Sequence, residues 1–143
     1  MKKEEKFKMD CIFCKIIKGE IPSHKIYEDQ HTYTFLDINP VNHGHTLVIP
    51  KKHYENIYDT PEETLKYLIS IIKKITPAIK KAVNADGINI GLSNEKAAGQ
   101  AVFHIHFHII PRFKNDGLKL LPQKTYESEE QAKEIAQKIK NLL

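Results

Sequence analysis

The 143-residue chain has no tryptophan, two cysteines, six glycines and no apolar run longer than a few residues. Each shortage excludes something. Two cysteines cannot staple a secreted disulfide scaffold. Without a long apolar run, no segment is expected to span a bilayer. The basic opening, MKKEEKFKMD, leads into no stretch of signal-peptide length, so cytoplasmic residence is expected. No Gly-x-x-x-x-Gly-Lys precedes a helix, which removes the P-loop as a phosphate-binding device. A net charge of +4 is mild, and Lys and Glu are mixed along the chain, so neither nucleic acid nor a membrane surface is demanded. A hydrophobic content of 41% excludes a disordered chain, and the length fits one domain.

What the chain has in excess is histidine. Six of its eight histidines fall in two clusters, at 43, 45 and 53 and at 104, 106 and 108, and the cysteines form a C-x-x-C pair at 11 and 14. Residues 1–10 are mostly charged and read as a flexible arm, leaving 11–143 as the domain. A short helix over 12–18 is closed by Gly19, and strands are expected over 24–28, 31–36 and 45–49. The segment 60–83 has Thr60 as N-cap, Pro61 at the first helical position and two early glutamates. Leu65, Leu68, Ile69, Ile72, Ile75 and Ile79 then recur at helical spacing, with Pro77 expected to kink rather than end the helix. Strands over 88–92 and 102–110 and a Lys-rich closing helix from 128 complete the pattern. The fold class is therefore α+β: a five-stranded antiparallel sheet with a long central helix.

Residues 102–110 alternate strictly from His104 onward, so His104, His106 and His108 are expected on one strand face, 6.5–7 Å apart, with Ile105, Phe107 and Ile109 turned to the core. Three imidazoles in a row suit nucleophilic or acid–base chemistry, or ligation of a catalytic metal. Cys11 and Cys14 have zinc spacing but need two further ligands, to be drawn from the histidines. Burial as small residues and a redox pair are the other readings of the cysteines. No thioredoxin-like pattern supports the redox pair.

His104 to Ile110 matches His-φ-His-φ-His-φ-φ, where φ is apolar, and the chain here resembles the histidine triad (HIT) family. Blocks at 11–17, 35–38, 44–53 and 99–103 extend the resemblance in order, over nearly all of 10–112. The resemblance implies a nucleotide-binding homodimer, its two sheets joined into one, that attacks the α-phosphorus of purine nucleoside monophosphate derivatives such as phosphoramidates. It implies His106 as nucleophile, with His108 and His45 at the phosphate or leaving atom and Asn94 and Gln100 on the phosphate side. Asp37 is the implied ribose clamp. Ile12, Phe13, Ile16, Leu36 and Ile38 are the implied base pocket, and Ala101 and Val102 further nucleotide contacts. His53 and His104 match positions that hold a structural zinc with such a cysteine pair in bacterial-type members. Ala101 stands where many relatives carry Ser, which removes one hydrogen bond to a leaving group. The rival readings are a dinucleoside-polyphosphate hydrolase, a nucleotide-binding signalling module with little turnover, and a zinc hydrolase using all three triad imidazoles.

Overall fold

A computed structural model describes residues 7–143. The described residues run α1 (Ile12–Ile17), β1 (Lys25–Glu28), β2 (Thr32–Leu36), β3 (Thr46–Pro50), α2 (Glu62–Ala82), β4 (Gly87–Leu92), β5 (Phe107–Arg112) and α3 (Glu129–Leu142), with a 3₁₀ turn at Lys96–Ala98. The strands form one antiparallel sheet in the order β1-β2-β3-β5-β4. The expected α+β architecture is present.

Strand alternation sends successive side chains to opposite faces, and each face has its own core. On one face Val48, Phe107 and Ile109 meet Leu68, Ile71, Ile72, Ile75 and Ile79 of α2. On the other, Tyr33, Phe35, Leu47 and Ile49 meet Phe13, Cys14 and Ile16 of α1. The register pairs Phe35 with Leu47 and Leu47 with His108, so His108 opens onto the α1 face. Six residues of α1 cannot cover that face, and the remainder forms an open cleft.

The structure corrects several boundaries. The final strand starts at Phe107, not 102; residues 102–106 form an irregular approach in which the Ile105 N–H donates to the Tyr54 carbonyl at 2.8 Å. Thr60 does not cap α2. Its hydroxyl donates to the Asn56 carbonyl at 2.6 Å and Pro61 occupies the cap position, with the helix continuous through Pro77. On α2 the buried stripe includes Ile71, whereas Ile69 is exposed. The closing helix exists, capped by Ser128, but has no buried residue and adds nothing to the core. Residues 1–6 of the expected arm lie outside the described residues. Phe7 and Lys8 are not loose: Phe7 packs on the α1 cluster, and the Lys8 N–H donates to Cys14 Sγ at 3.4 Å. No described helix is long and apolar enough to cross a membrane.

Candidate functional site

The open half of the α1 face is a cleft of about 350 Å³ lined by Phe13 and Ile16 from α1, Phe35, Asp37 and Leu47 from the sheet, and His106 and His108. Ile12 and Ile38 stand at its edge, 44% and 75% exposed, so the wall is apolar but uncovered. Asp37 is held by its Oδ1 accepting from the Asn39 N–H at 2.9 Å, which leaves Oδ2 as an acceptor 3.7 Å from His45 Nε2.

The backbone dictates the state of each imidazole. A neutral ring has one N–H and one bare nitrogen, and a fixed partner on one determines the other. His106 Nδ1 lies 2.8 Å from the His104 carbonyl, which only accepts, so Nδ1 carries the proton and Nε2 is a bare lone pair. The Val41 N–H, which only donates, points at His45 Nδ1 at 3.0 Å, so the His45 proton is on Nε2. That proton faces His108 Nδ1 at 2.9 Å, which must accept and leaves N–H on His108 Nε2. The cleft thus holds a nucleophile-type nitrogen on His106 and a donor-type nitrogen on His108, with ring centres 4.9 Å apart. The 6.5–7 Å expected for an extended strand is not reached because the chain is irregular up to His106.

Burial keeps these rings neutral. It pushes His106 and His45 below the usual imidazole range. His108 falls to about 4, through burial first and then its imidazole neighbours His106 and His45. The sign for stability follows from linkage. His108 binds a proton more readily unfolded than folded, so its contribution is complete above pH 6.5 and is lost as pH falls toward 4. After allowance for solvent at the open side, His108→Gln is expected to lose about 2 kcal/mol less than the parent between pH 7 and pH 4.5. Urea unfolding at the two pH values measures this; parallel losses would show that His108 is not held neutral.

His104 lies on the same face of the sheet, edge-on to Phe13, but beside the cysteines rather than in the cleft lining. Its Nε2–H donates to the Pro50 carbonyl at 2.9 Å, and its bare Nδ1 faces Cys11 Sγ at 3.4 Å and Cys14 Sγ at 3.6 Å. His53 Nδ1 lies 3.5 Å from Cys14 Sγ. All four ligand atoms lie within 4.8 Å of one another. Two thiols and two imidazole nitrogens suit a tetrahedral, thiophilic divalent metal, and the Pro50 carbonyl supplies the outer hydrogen bond that orients a metal-bound histidine. N–H groups of Lys8 and Cys14 point at Cys14 and Cys11 sulfurs, as thiolates require. With protein alone around it, burial pushes the Cys14 thiol up to about 11; a divalent cation reverses that preference. The donor set therefore fits a metal. Asp37, His45 and His108 also bring ligand atoms within 4.8 Å. There the facing His45 and His108 nitrogens are already bonded to each other, and a metal would have to break that bond.

Other placements depart from the expectation. Leu36 does not line the cleft; it alternates to the opposite face from Phe35, which takes its place. Asn94 and Gln100 do not line it either. Asn94 Oδ1 accepts from the Ile57 N–H at 2.8 Å, while Gln100 accepts from the Glu95 N–H at 2.8 Å and donates to the Glu55 carbonyl at 2.6 Å. Both tie down the loop that brings Gly99, Ala101 and Val102 to the rim. Phe35 and Leu47 were legible, since counting back two from Asp37 lands on Phe35. Ile21, Pro22, Ser23 and Asn39 carried no sequence signal. A separate cleft of about 360 Å³ between the β1–β2 turn and α2, with Lys51, Lys52 and Tyr67 in its lining, has no comparable histidine array.

An antiparallel α+β sheet with a bare imidazole nitrogen and an imidazole donor over an apolar-walled cleft defines a class of protein equipped for nucleophilic chemistry on a bound small molecule. The family model for the HIT domain matches residues 18–115. An uncharacterized HIT-like protein of Methanocaldococcus jannaschii is 51% identical over 127 residues, covering 87% of this chain and 98% of that one. An adenylylsulfatase of Arabidopsis thaliana is 48% identical over 109 residues (76% of this chain, 55% of that one). An adenosine 5'-monophosphoramidase of Candida albicans is 44% identical over 106 residues (71% and 70%). The crystal structure of a HIT-family protein from Bacillus subtilis superposes with TM-score 0.85 at 45% identity, covering 94% of this chain and 97% of that one. A zinc-bound histidine triad protein from Mycobacterium smegmatis superposes with TM-score 0.74 at 38% identity, covering 94% and 99%. The chain belongs to the HIT family.

Proposed function

We propose that the protein hydrolyses purine nucleoside 5'-phosphoramidates through a covalent intermediate on His106. The observation that carries this reading is the His106 ring itself, whose Nδ1–H is committed to a backbone carbonyl while Nε2 is bare in a ring lining the cleft. A buried neutral imidazole is nucleophilic at neutral pH and leaves well once phosphorylated, which divides one hard displacement into two easier ones. His106 Nε2 bonds to the α-phosphorus as the bond from phosphorus to the leaving nitrogen breaks. Water then breaks the P–Nε2 bond. In sum one water is consumed, its proton going to the leaving amine and its hydroxyl to the nucleoside monophosphate. His108 Nε2–H donates to a phosphoryl oxygen as charge builds there. Asp37 accepts from the ribose hydroxyls, and the Phe13, Ile16 and Ile12 wall takes the base.

The relatives named as adenosine 5'-monophosphoramidase and adenylylsulfatase support attack on an adenylyl phosphorus with a variable leaving group. The sulfur and nitrogen donors of Cys11, Cys14, His53 and His104 would hold zinc in a structural role, tying α1 to the triad segment, and the zinc-bound relative supports that choice of metal. Strand β4 is an edge with Ile90 half exposed, an arrangement suited to pairing with the same strand of a second copy in a cytoplasmic homodimer. Steady-state turnover of adenosine 5'-phosphoramidate against diadenosine tri- and tetraphosphate tests the substrate class. The phosphoramidate is expected to win in kcat/KM. A tenfold preference for a polyphosphate would make the protein a dinucleoside-polyphosphate hydrolase, and binding without turnover of either would make it a signalling module.

A further inference from the structure

The donor on His108 is only as secure as the hydrogen bond two residues back along its relay. The His45–His108 pair has two arrangements of equal proton count. In one, His45 Nε2–H donates to His108 Nδ1 and His108 offers N–H to the cleft. In the other, His108 Nδ1–H donates to His45 Nε2, His45 carries its proton on Nδ1, and His108 offers a lone pair that repels an anionic phosphoryl oxygen. The Val41 N–H, 3.0 Å from His45 Nδ1, excludes the second arrangement because two donors would face each other.

Val41 has no firm anchor of its own, its side chain being 47% exposed on the loop at 39–44. The anchor is the next residue. Asn42 Nδ2 donates both to the Pro111 carbonyl at 2.9 Å and to Asp116 Oδ2 at 3.1 Å, and the Asn42 carbonyl accepts from the His45 N–H at 3.0 Å. Asp116 is clamped in turn. Arg112 grips both of its oxygens, at 2.8 and 3.1 Å, and the N–H groups of Phe113 and Leu118 donate to it at 3.1 and 3.0 Å. The other end of the loop is equally tight: at Gly44, φ +92, a Cβ would stand 2.9 Å from Val83 Cγ1 and 3.1 Å from Pro111 Cγ. The loop thus lies against the end of β5, the strand that carries His108.

We propose that Asn42 and Asp116 are positioning residues that fix the proton on His108 Nε2 by holding the Val41 N–H against His45. Neither touches the cleft; both act through the loop. The inference rests on the phosphoryl-transfer reading for its consequence in turnover, but the proton positions can be read in the free protein.

Two-bond ¹H–¹⁵N correlation spectra of histidine-labelled protein at pH 7.5 report each ring's tautomer. In the parent, His108 is expected as Nε2–H and His45 as Nε2–H. In Asn42→Ala and in Asp116→Asn, both rings are expected to show mixed tautomers, with kcat about tenfold lower and KM within about threefold of the parent. Asp116→Glu, which keeps the charge and an acceptor for Asn42 Nδ2, is expected to recover most of the parental spectrum. A parent spectrum with His108 as Nδ1–H overturns the inference. So does an Asn42→Ala protein that loses thermal stability while keeping parental tautomers, since that is a merely structural role. Tautomers that shift as expected in a protein with no turnover of any nucleotide derivative would uphold the inference and sink the phosphoramidase reading instead.

Discussion

His106→Ala is expected to lower phosphoramidate hydrolysis on the order of 10⁴-fold or more while nucleoside monophosphate binding changes little. The size of the effect comes from the lack of a substitute nucleophile. His108 carries its proton on the nitrogen left over from the His45 bond, so it offers a donor and no lone pair. His45 is 3% exposed, and its two nitrogens are committed to Val41 and His108. His104 is fully buried and turned to the cysteines. Binding survives because the apolar wall and Asp37 do not depend on the His106 ring, although Phe13 loses an edge-to-face contact with it at 5.1 Å. Rapid acid-free quenching of the parent with radiolabelled substrate should trap nucleotide on His106, and the variant should trap none. Residual turnover within tenfold of the parent would mean that another group attacks phosphorus.

Removing the proposed zinc ligands should produce the second large effect, on stability rather than chemistry. Cys11→Ser/Cys14→Ser, or exhaustive chelation of the parent, is expected to cost about 4 kcal/mol relative to the parent held at free zinc about a thousandfold above its dissociation constant. The reason is location. The Cys11–Cys14 pair, His53 and His104 are far apart in sequence, and the four donors join α1, the segment after β3 and the approach to β5. Without the cross-link, α1 is held on the sheet by little more than Phe13, Ile16 and the cysteines themselves. Thermal unfolding with and without added zinc measures the loss, and cobalt substitution should give thiolate-to-metal absorption in the parent alone. Equal melting temperatures for parent and double serine variant at saturating zinc would show that these four residues hold no metal.

These two predictions rest on different parts of the sequence reading. The C-x-x-C spacing and the ordered motif blocks pointed to all four metal donors, and the structure brings those four together. The strict alternation of 104–108 pointed to the core side of the segment, and Ile105, Phe107 and Ile109 are indeed buried against α2. The same alternation put His104 on the α1 face with His106 and His108, and it stands there against Phe13, Cys11 and Cys14; period two did not tell that it sits beside the cysteines rather than in the cleft. The chain is irregular at 102–106, held there by the Gln100 side chain on the Val102 carbonyl and by the Tyr54 carbonyl, a partner 51 residues away from Ile105. Asn94 and Gln100 were placed on the phosphate side by the resemblance alone, since an amide in a loop beside a site reads identically whether it faces ligand or backbone.

The local pattern of residues was enough to determine the element types, the antiparallel α+β class, the histidine array and the cysteine pair, while the choice of His106 as nucleophile and of His53 and His104 beside the cysteines came from the family resemblance. The former follow from spacing along one chain, where side-chain direction is set by helix or strand period. The protonation pattern was decided only by tertiary structure. Which nitrogen of His106 is bare depends on a carbonyl two residues away that turns inward only in the irregular segment. Which nitrogen of His108 carries the proton depends on Val41, on a loop held by residues beyond the end of β5. A histidine has the same letter in either tautomer, and the difference between a nucleophile, a donor and a ligand lies in what the fold places against its second nitrogen.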